Sequence, residues 1–116
     1  MAGMLDGIKV LEVANWVAAP SACAMLADLG ADVVKIEHPD TGDPVRSINV
    51  HSSGVIQYTD GVNTIFQLLN RGKRSLAVDL GSSGGQEIVR KLASHVDILV
   101  TNLTPHRQER YELRYE

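Results

Sequence analysis

The stretch GADVVKIEHPDTGDPVR, residues 30–46, decides how the rest of the chain is read. It opens with a glycine suited to stopping a helix and runs through the apolar strand Val33–Ile36. It then reaches an acid, Glu37, and a loop rich in Pro, Gly and Asp. Glu37 stands about twenty residues after the first strand-to-helix turn, where a dinucleotide-binding fold places the acid that holds a ribose of NAD. Upstream, IKVLEV (8–13) is an apolar run with β-branched residues and reads as a buried strand. Between the two strands, Ala22, Met25, Leu26 and Leu29 fall at the spacing of one helical face, with Pro20 in the first turn and Gly30 as the stop. Strand, short turn, helix and strand at this spacing form a βαβ unit with parallel strands and a right-handed crossover.

The pattern continues downstream. Val62, Ile65, Phe66 and Leu69 repeat the helical spacing, and NRGKR (70–74) ends that helix with Gly72 as its stop. SLAVDL (75–80) alternates Leu76, Val78 and Leu80 with smaller or polar residues, a strand pattern. Ser83 and Gln86 fit a capping box, opening a helix that carries Ile88, Val89 and Leu92 inward. VDILVTNL (96–103) is the last strand. Residues 47–60 read as irregular, and the charged tail TPHRQERYELRYE (104–116) has little to bury. The fold class is α/β, with about four strands and helices between them; parallel strands need cover on both faces, so the chain reads as the start of a larger domain.

The length of 116 residues allows one domain or part of one. A net charge of −3 gives no electrostatic reason to expect nucleic acid or an anionic membrane as partner. Cys23 is the single cysteine, which rules out an intramolecular disulfide and fits a reducing cytoplasm. No apolar run approaches the roughly twenty residues of a membrane span, and the first ten residues lack the pattern of a signal peptide.

The dinucleotide fingerprint needs glycines in the first turn, so that the pyrophosphate can approach the backbone. That turn reads ANWVAAP (14–20) and contains none. NAD therefore loses its main support, and Glu37 reads as a solvated acid at a strand end. The same turn offers no side-chain cap at Ala18 or Ala19, leaving helix N–H groups free to attract an anion. Trp16 and Val17 offer an apolar surface for a flat ring; packing of Trp16 in the core is the competing reading. Arg71, Lys73 and Arg74 are either cations favoured by a helix end or phosphate contacts. GSSGG (81–85) lacks the Lys-Ser/Thr ending of a phosphate loop and reads as a capped helix start. His38, His51, His95 and His106 show no metal-ligand spacing, and Cys23 reads as a small core residue. Asn102 stands at a strand's carboxyl end, where α/β sheets bind ligands, or is an ordinary turn residue.

Taken together, LDGIKVLEV (5–13), MLADLGADVVKIEHPDTGDPVR (25–46), NRGKRSLAVDL (70–80) and VDILVTNLTP (96–105) with RYELRYE (110–116) resemble the N-terminal segment of class III coenzyme A transferases. That family includes formyl-CoA transferase, carnitine CoA-transferase and the related α-methylacyl-CoA racemase. The resemblance covers nearly the whole chain apart from residues 47–60. It implies that residues 1–116 are the N-terminal portion of a larger Rossmann-like domain, lacking the NAD fingerprint and binding coenzyme A at the carboxyl ends of its strands. The implied activity is transfer of CoA between carboxylic acids through an aspartyl mixed anhydride. The racemase alternative uses an aspartate and a histidine as an acid–base pair, and a non-catalytic CoA-binding fragment is a third reading.

In each case the catalytic residues belong further along, and none of Glu12, Asp28, Glu37 and Asp43 matches them. The CoA contacts carried over by the resemblance are Trp16, Val17, Ala18, His38, Val78, Gly81, Asn102, Leu103 and Arg110. His38 stands where many members have an arginine, and Gly81 replaces a lysine seen in some; Lys73 and Arg74 are candidates to compensate. The resemblance further implies acyl-CoA and carboxylic acid substrates, no metal, no NAD, and an interlocked homodimer for the full-length protein.

Overall fold

Short apolar strands joined by helices bury both faces only when helices cover both sides of a parallel sheet. A computed structural model shows this arrangement and describes residues 3–48 and 62–114; most of the stretch expected to be irregular, 47–60, lies outside them. The chain runs β1 (Lys9–Val13), α1 (Ala18–Asp28), β2 (Asp32–Glu37), a 3-10 turn (Pro44–Ser47), α2 (Thr64–Asn70), β3 (Arg74–Ala77), α3 (Ser83–Ala93), β4 (Ile98–Thr101) and α4 (Pro105–Arg110). The sheet order is β3-β2-β1-β4, with every pair parallel. Among the described residues no helix is long and apolar enough to cross a membrane.

The two-residue period of the strands sorts their side chains between two layers. Leu11, Val13 and Ile36 join Val78, Val89 of α3 and Leu103 in one buried cluster. Val10 and Val33 point the other way and meet Cys23 of α1 and Ala31. Each fully buried aliphatic side chain in these layers contributes on the order of 1.5–3 kcal/mol. Gly30 closes α1 as expected: its φ is +105°, and the Gly30 and Ala31 N–H groups donate to Ala27 and Leu26 carbonyls. That is the double bond pattern of a glycine-terminated helix.

Several expectations change on contact with the structure. Met25 and Leu29 of α1 are exposed, and the buried residues are Pro20, Cys23 and Ala24. The small side chains face the sheet because lysine and carboxylate side chains are buried beneath the helix's first half. The N-cap of α3 is Ser82, not Ser83: Ser82 Oγ accepts from the Gly85 N–H at 3.1 Å, while Gln86 donates to the Leu80 carbonyl. Ile88 is exposed, and Val89 and Leu92 alone keep the inward role expected of that helix face. The third strand ends at Ala77, so only its first half is ladder. The charged tail forms α4, capped by Thr104, and packs Tyr111 and Leu113 against the first cluster. Its apolar residues lie just past the helix, which is why a run dominated by charge conceals them.

Gly85 is required by a close approach. A Cβ there would lie 1.9 Å from the Asp79 carbonyl oxygen. Gly85→Ala must push the Asp79–Ser82 loop away from α3, and the expected loss is about 1–3 kcal/mol of stability. Thermal unfolding followed by circular dichroism measures it.

Candidate functional site

Glu12 and Lys35 are the charged residues of two otherwise apolar strand interiors, and they are direct partners in the β1–β2 register. Both face α1 and are almost fully buried. The Lys35 ammonium lies 2.7 Å from Glu12 Oε1, 2.8 Å from Asp43 Oδ2, and donates to the Ala14 carbonyl at 2.8 Å. Lys73 reaches the same place from the loop after α2, 2.7 Å from Glu12 Oε2, and donates to the Pro20 carbonyl and Asn70 Oδ1. Glu12 Oε2 and Asp43 Oδ2 lack well-angled hydrogen bonds, yet each has an ammonium at ion-pair distance. Two carboxylates and two ammoniums thus form a buried quartet with no net charge. Burial pushes the Lys73 pKa down, against the pull of Glu12. Burial and the Glu12 carboxylate together push the Cys23 thiol up to about 12, so it is an inert core group.

Glu37 continues this polar layer, which corrects its reading as a solvated acid. Its carboxylate accepts from Arg46 Nε and Nη2 at 2.7 and 2.9 Å, from Ser75 Oγ at 2.8 Å and from the Asp43 N–H at 3.1 Å. With both oxygens doubly engaged, none is left for a ribose hydroxyl. Arg46 also stacks 3.7 Å over the Phe66 ring. Glu37 therefore ties β2, β3 and the 38–46 loop together.

The turn after β1 is built on this layer. Trp16 has φ +70°, a region bulky side chains rarely enter. Its N–H donates to Asp43 Oδ1 at 3.3 Å. The preceding Asn15 is gripped from the other side: its N–H donates to Asn102 Oδ1, and its carbonyl accepts from Asn102 Nδ2 at 2.7 Å. Trp16 is 52% exposed, which rules out the reading of Trp16 as a core residue. Val17 and Ala18 are exposed beside it, and Val17 caps α1 without a side-chain bond, as expected.

A cavity of about 310 Å³ opens at the carboxyl ends of the strands. Five of the expected ligand residues line it: His38, Val78, Gly81, Leu103 and Arg110. Trp16, Val17 and Ala18 lie on the adjoining turn, and Asn102 acts behind the wall by holding Asn15. His38 accepts from the Asp40 N–H through Nδ1 and turns Nε2 toward Asp79, 4.0 Å away. Arg71, Lys73 and Arg74 do not reach the cavity. Arg71 pairs with Asp28, Arg74 with Asp32, and Lys73 is buried in the quartet, so the expected compensation by Lys73 and Arg74 is corrected. The residue missed by sequence reasoning is Arg107, one turn before Arg110 on α4 and on the same wall. Its three-residue spacing from Arg110 after the Thr104-Pro105 helix start was the available signal. Among the described residues neither guanidinium has a carboxylate partner, so both are available to an anionic ligand such as a phosphate. Among the described residues no cluster of His, Cys, Asp or Glu has metal-site geometry.

An open parallel α/β sheet with a partly cationic cavity beyond its strand ends, and no glycine-rich first turn, defines a Rossmann-like α/β protein without the dinucleotide fingerprint. The chain belongs to CoA-transferase family III, whose sequence model matches residues 5–116. It is 38% identical to the succinate–glutarate CoA-transferase of Agrobacterium fabrum, over 97% of this chain and 28% of that protein. It is 34% identical to the human succinyl-CoA:glutarate CoA-transferase, over 97% of this chain and 24% of that one. Among solved structures, a CAIB/BAIF family protein from Brucella suis superposes with a TM-score of 0.83 at 35% identity, covering 99% of this chain and 30% of that one. Rv3272 from Mycobacterium tuberculosis gives 0.84 at 34% identity, covering 97% and 30%. The chain thus spans under a third of the length of these relatives.

Two expectations follow from the geometry. The hydrogen bonds to Glu37 outweigh its burial and lower its pKa from 4.5 to about 2. A depressed folded-state pKa gives stability that is present above pH 4.5 and lost as pH falls toward 2. Urea unfolding across that window should show a falling midpoint, and Glu37→Gln should flatten the slope while lowering stability near neutral pH. Trp16→Gly relieves a positive φ that costs a bulky residue about 1–3 kcal/mol. Because Trp16 is half exposed, the variant's melting temperature should equal or exceed that of the parent chain.

Proposed function

We propose that this chain is the coenzyme A-binding, N-terminal portion of a family III CoA-transferase large domain, and that the whole protein moves CoA between carboxylic acids. The observation that carries this reading is the cavity at the strand ends, which gathers five of the expected contacts and adds Arg107. The family match over residues 5–116 supports it. In this reading the turn at Trp16, Val17 and Ala18 presents an apolar ledge and free helix N–H groups, and Arg107 and Arg110 meet the phosphates.

The reaction runs through an aspartyl mixed anhydride: a carboxylate attacks the thioester carbonyl, the C–S bond breaks, and CoA leaves as its thiolate. The buried acids of the first two strands and the 38–46 loop are not placed to do so. Glu12 and Asp43 are buried against lysines, and Glu37 is fully hydrogen-bonded. The family resemblance puts the nucleophile in the remainder of the large domain, and we read the working protein as a cytoplasmic homodimer.

Trp16, the only tryptophan, reports on the proposal directly. Coenzyme A titrated into the chain should give a saturable change in its fluorescence, and NAD should give none. Arg110→Ala should weaken CoA binding about tenfold or more, the loss of one charge-assisted contact worth about 1.5–3 kcal/mol. Absence of a CoA response from a chain shown by circular dichroism to be folded sinks the reading for this segment.

A further inference from the structure

Three consecutive residues after β1 are each held through the main chain by a distant side chain. The Ala14 carbonyl accepts from Lys35, both main-chain groups of Asn15 bond Asn102, and the Trp16 N–H donates to Asp43. Two of these three holders, Lys35 and Asp43, are themselves an ion pair at 2.8 Å in the buried quartet. A buried ion pair is a poor way to gain stability, since well-packed apolar groups of similar volume do as well or better. A bulky residue at positive φ is likewise held only where the surroundings over-determine it. Both costs meet at one turn, and that turn leaves Trp16 and Val17 exposed beside the cavity.

We propose that Lys35 and Asp43 are positioning residues for the coenzyme: the Lys35 ammonium fixes where the chain leaves β1 and, through the Asp43 carboxylate, holds Trp16 in its left-handed conformation. The inference rests on the coenzyme A reading for the role of the turn, but the positioning itself is read without any ligand. Asp43 touches nothing in the cavity. It acts through Trp16 and through the start of the 3-10 turn, where its Oδ1 also accepts from the Val45 N–H.

The test removes the pair together. Lys35→Met with Asp43→Ala deletes one positive and one negative charge, removes the acceptor of the Trp16 N–H, and leaves Glu12 with Lys73, so the buried layer stays neutral. The double variant should fold, as judged by circular dichroism. Without ligand, its Trp16 should be more readily quenched by acrylamide than in the parent chain. Its affinity for coenzyme A should fall by about tenfold or more. Val89→Ala, on the opposite face of the sheet, is the control for a merely structural effect: it should lower the melting temperature and leave Trp16 quenching unchanged.

A folded double variant with parental quenching overturns the proposal, and so does altered quenching with unchanged affinity. If the double variant does not fold, amide hydrogen exchange of the parent chain decides. Protection of the Trp16 N–H by about 100-fold or more supports the hold by Asp43, and exchange at the unprotected rate overturns it. If the parent chain gives no response to coenzyme A, the coenzyme reading fails, while quenching and exchange still report whether the pair fixes the turn.

Discussion

The Lys35 ammonium is the contact on which the rest of the architecture depends. It donates to Glu12 in the neighbouring strand and to the Ala14 carbonyl where that strand ends, and it ion-pairs with Asp43 in the following loop. One charge therefore joins the sheet, the first turn and the 38–46 loop. Its cost is desolvation, and the cost is met because every opposing group is charged or strongly polar and the quartet is neutral. Removing any single member leaves an uncompensated buried charge, which is the arrangement most sensitive to change in a protein interior. The layer is continuous with Glu37, so the polar seam runs from α2 through the sheet to β3.

This seam explains how a first turn without glycine presents an exposed aromatic surface beside the cavity. In dinucleotide-binding folds glycine supplies the unusual backbone and the close approach. Here the unusual backbone belongs to Trp16 and is enforced from below by side chains. The aromatic ring is turned outward as a consequence, so the first turn offers an apolar surface in place of a bare backbone. The question raised by Glu37 is resolved in the same terms: its acid is spent inward, on Arg46, Ser75 and the loop.

Element order, parallel pairing and most boundaries were legible in the chain itself, because hydrophobic period and stop signals such as Gly30 act over a few residues. The faces of the helices were less legible. Met25 and Leu29 mark a helical stripe as clearly as Pro20, Cys23 and Ala24 do, and only the space left by buried lysines decides which stripe faces inward. Glu12 and Lys35 carried a readable signal, single charges inside apolar strands at matching positions in the register, but their partners Asp43 and Lys73 are brought in by loops. Long-range convergence of that kind has no local pattern. Arg107 is the opposite case, a local spacing on a helix whose existence was hidden by its charge.

That helix has a consequence of its own. α4 is six residues long, and a helix of this length has little intrinsic stability in water. It is ordered by Thr104 at its start and by the packing of Tyr111 and Leu113 at its end. Arg107 and Arg110 both line the cavity, and like charges at three-residue spacing on a helix repel one another. Under the coenzyme A reading proposed above, an anionic group between Arg107 and Arg110 would offset that repulsion, which would link occupancy of the cavity to order in α4. In that reading α4 is a wall that its own ligand helps to build.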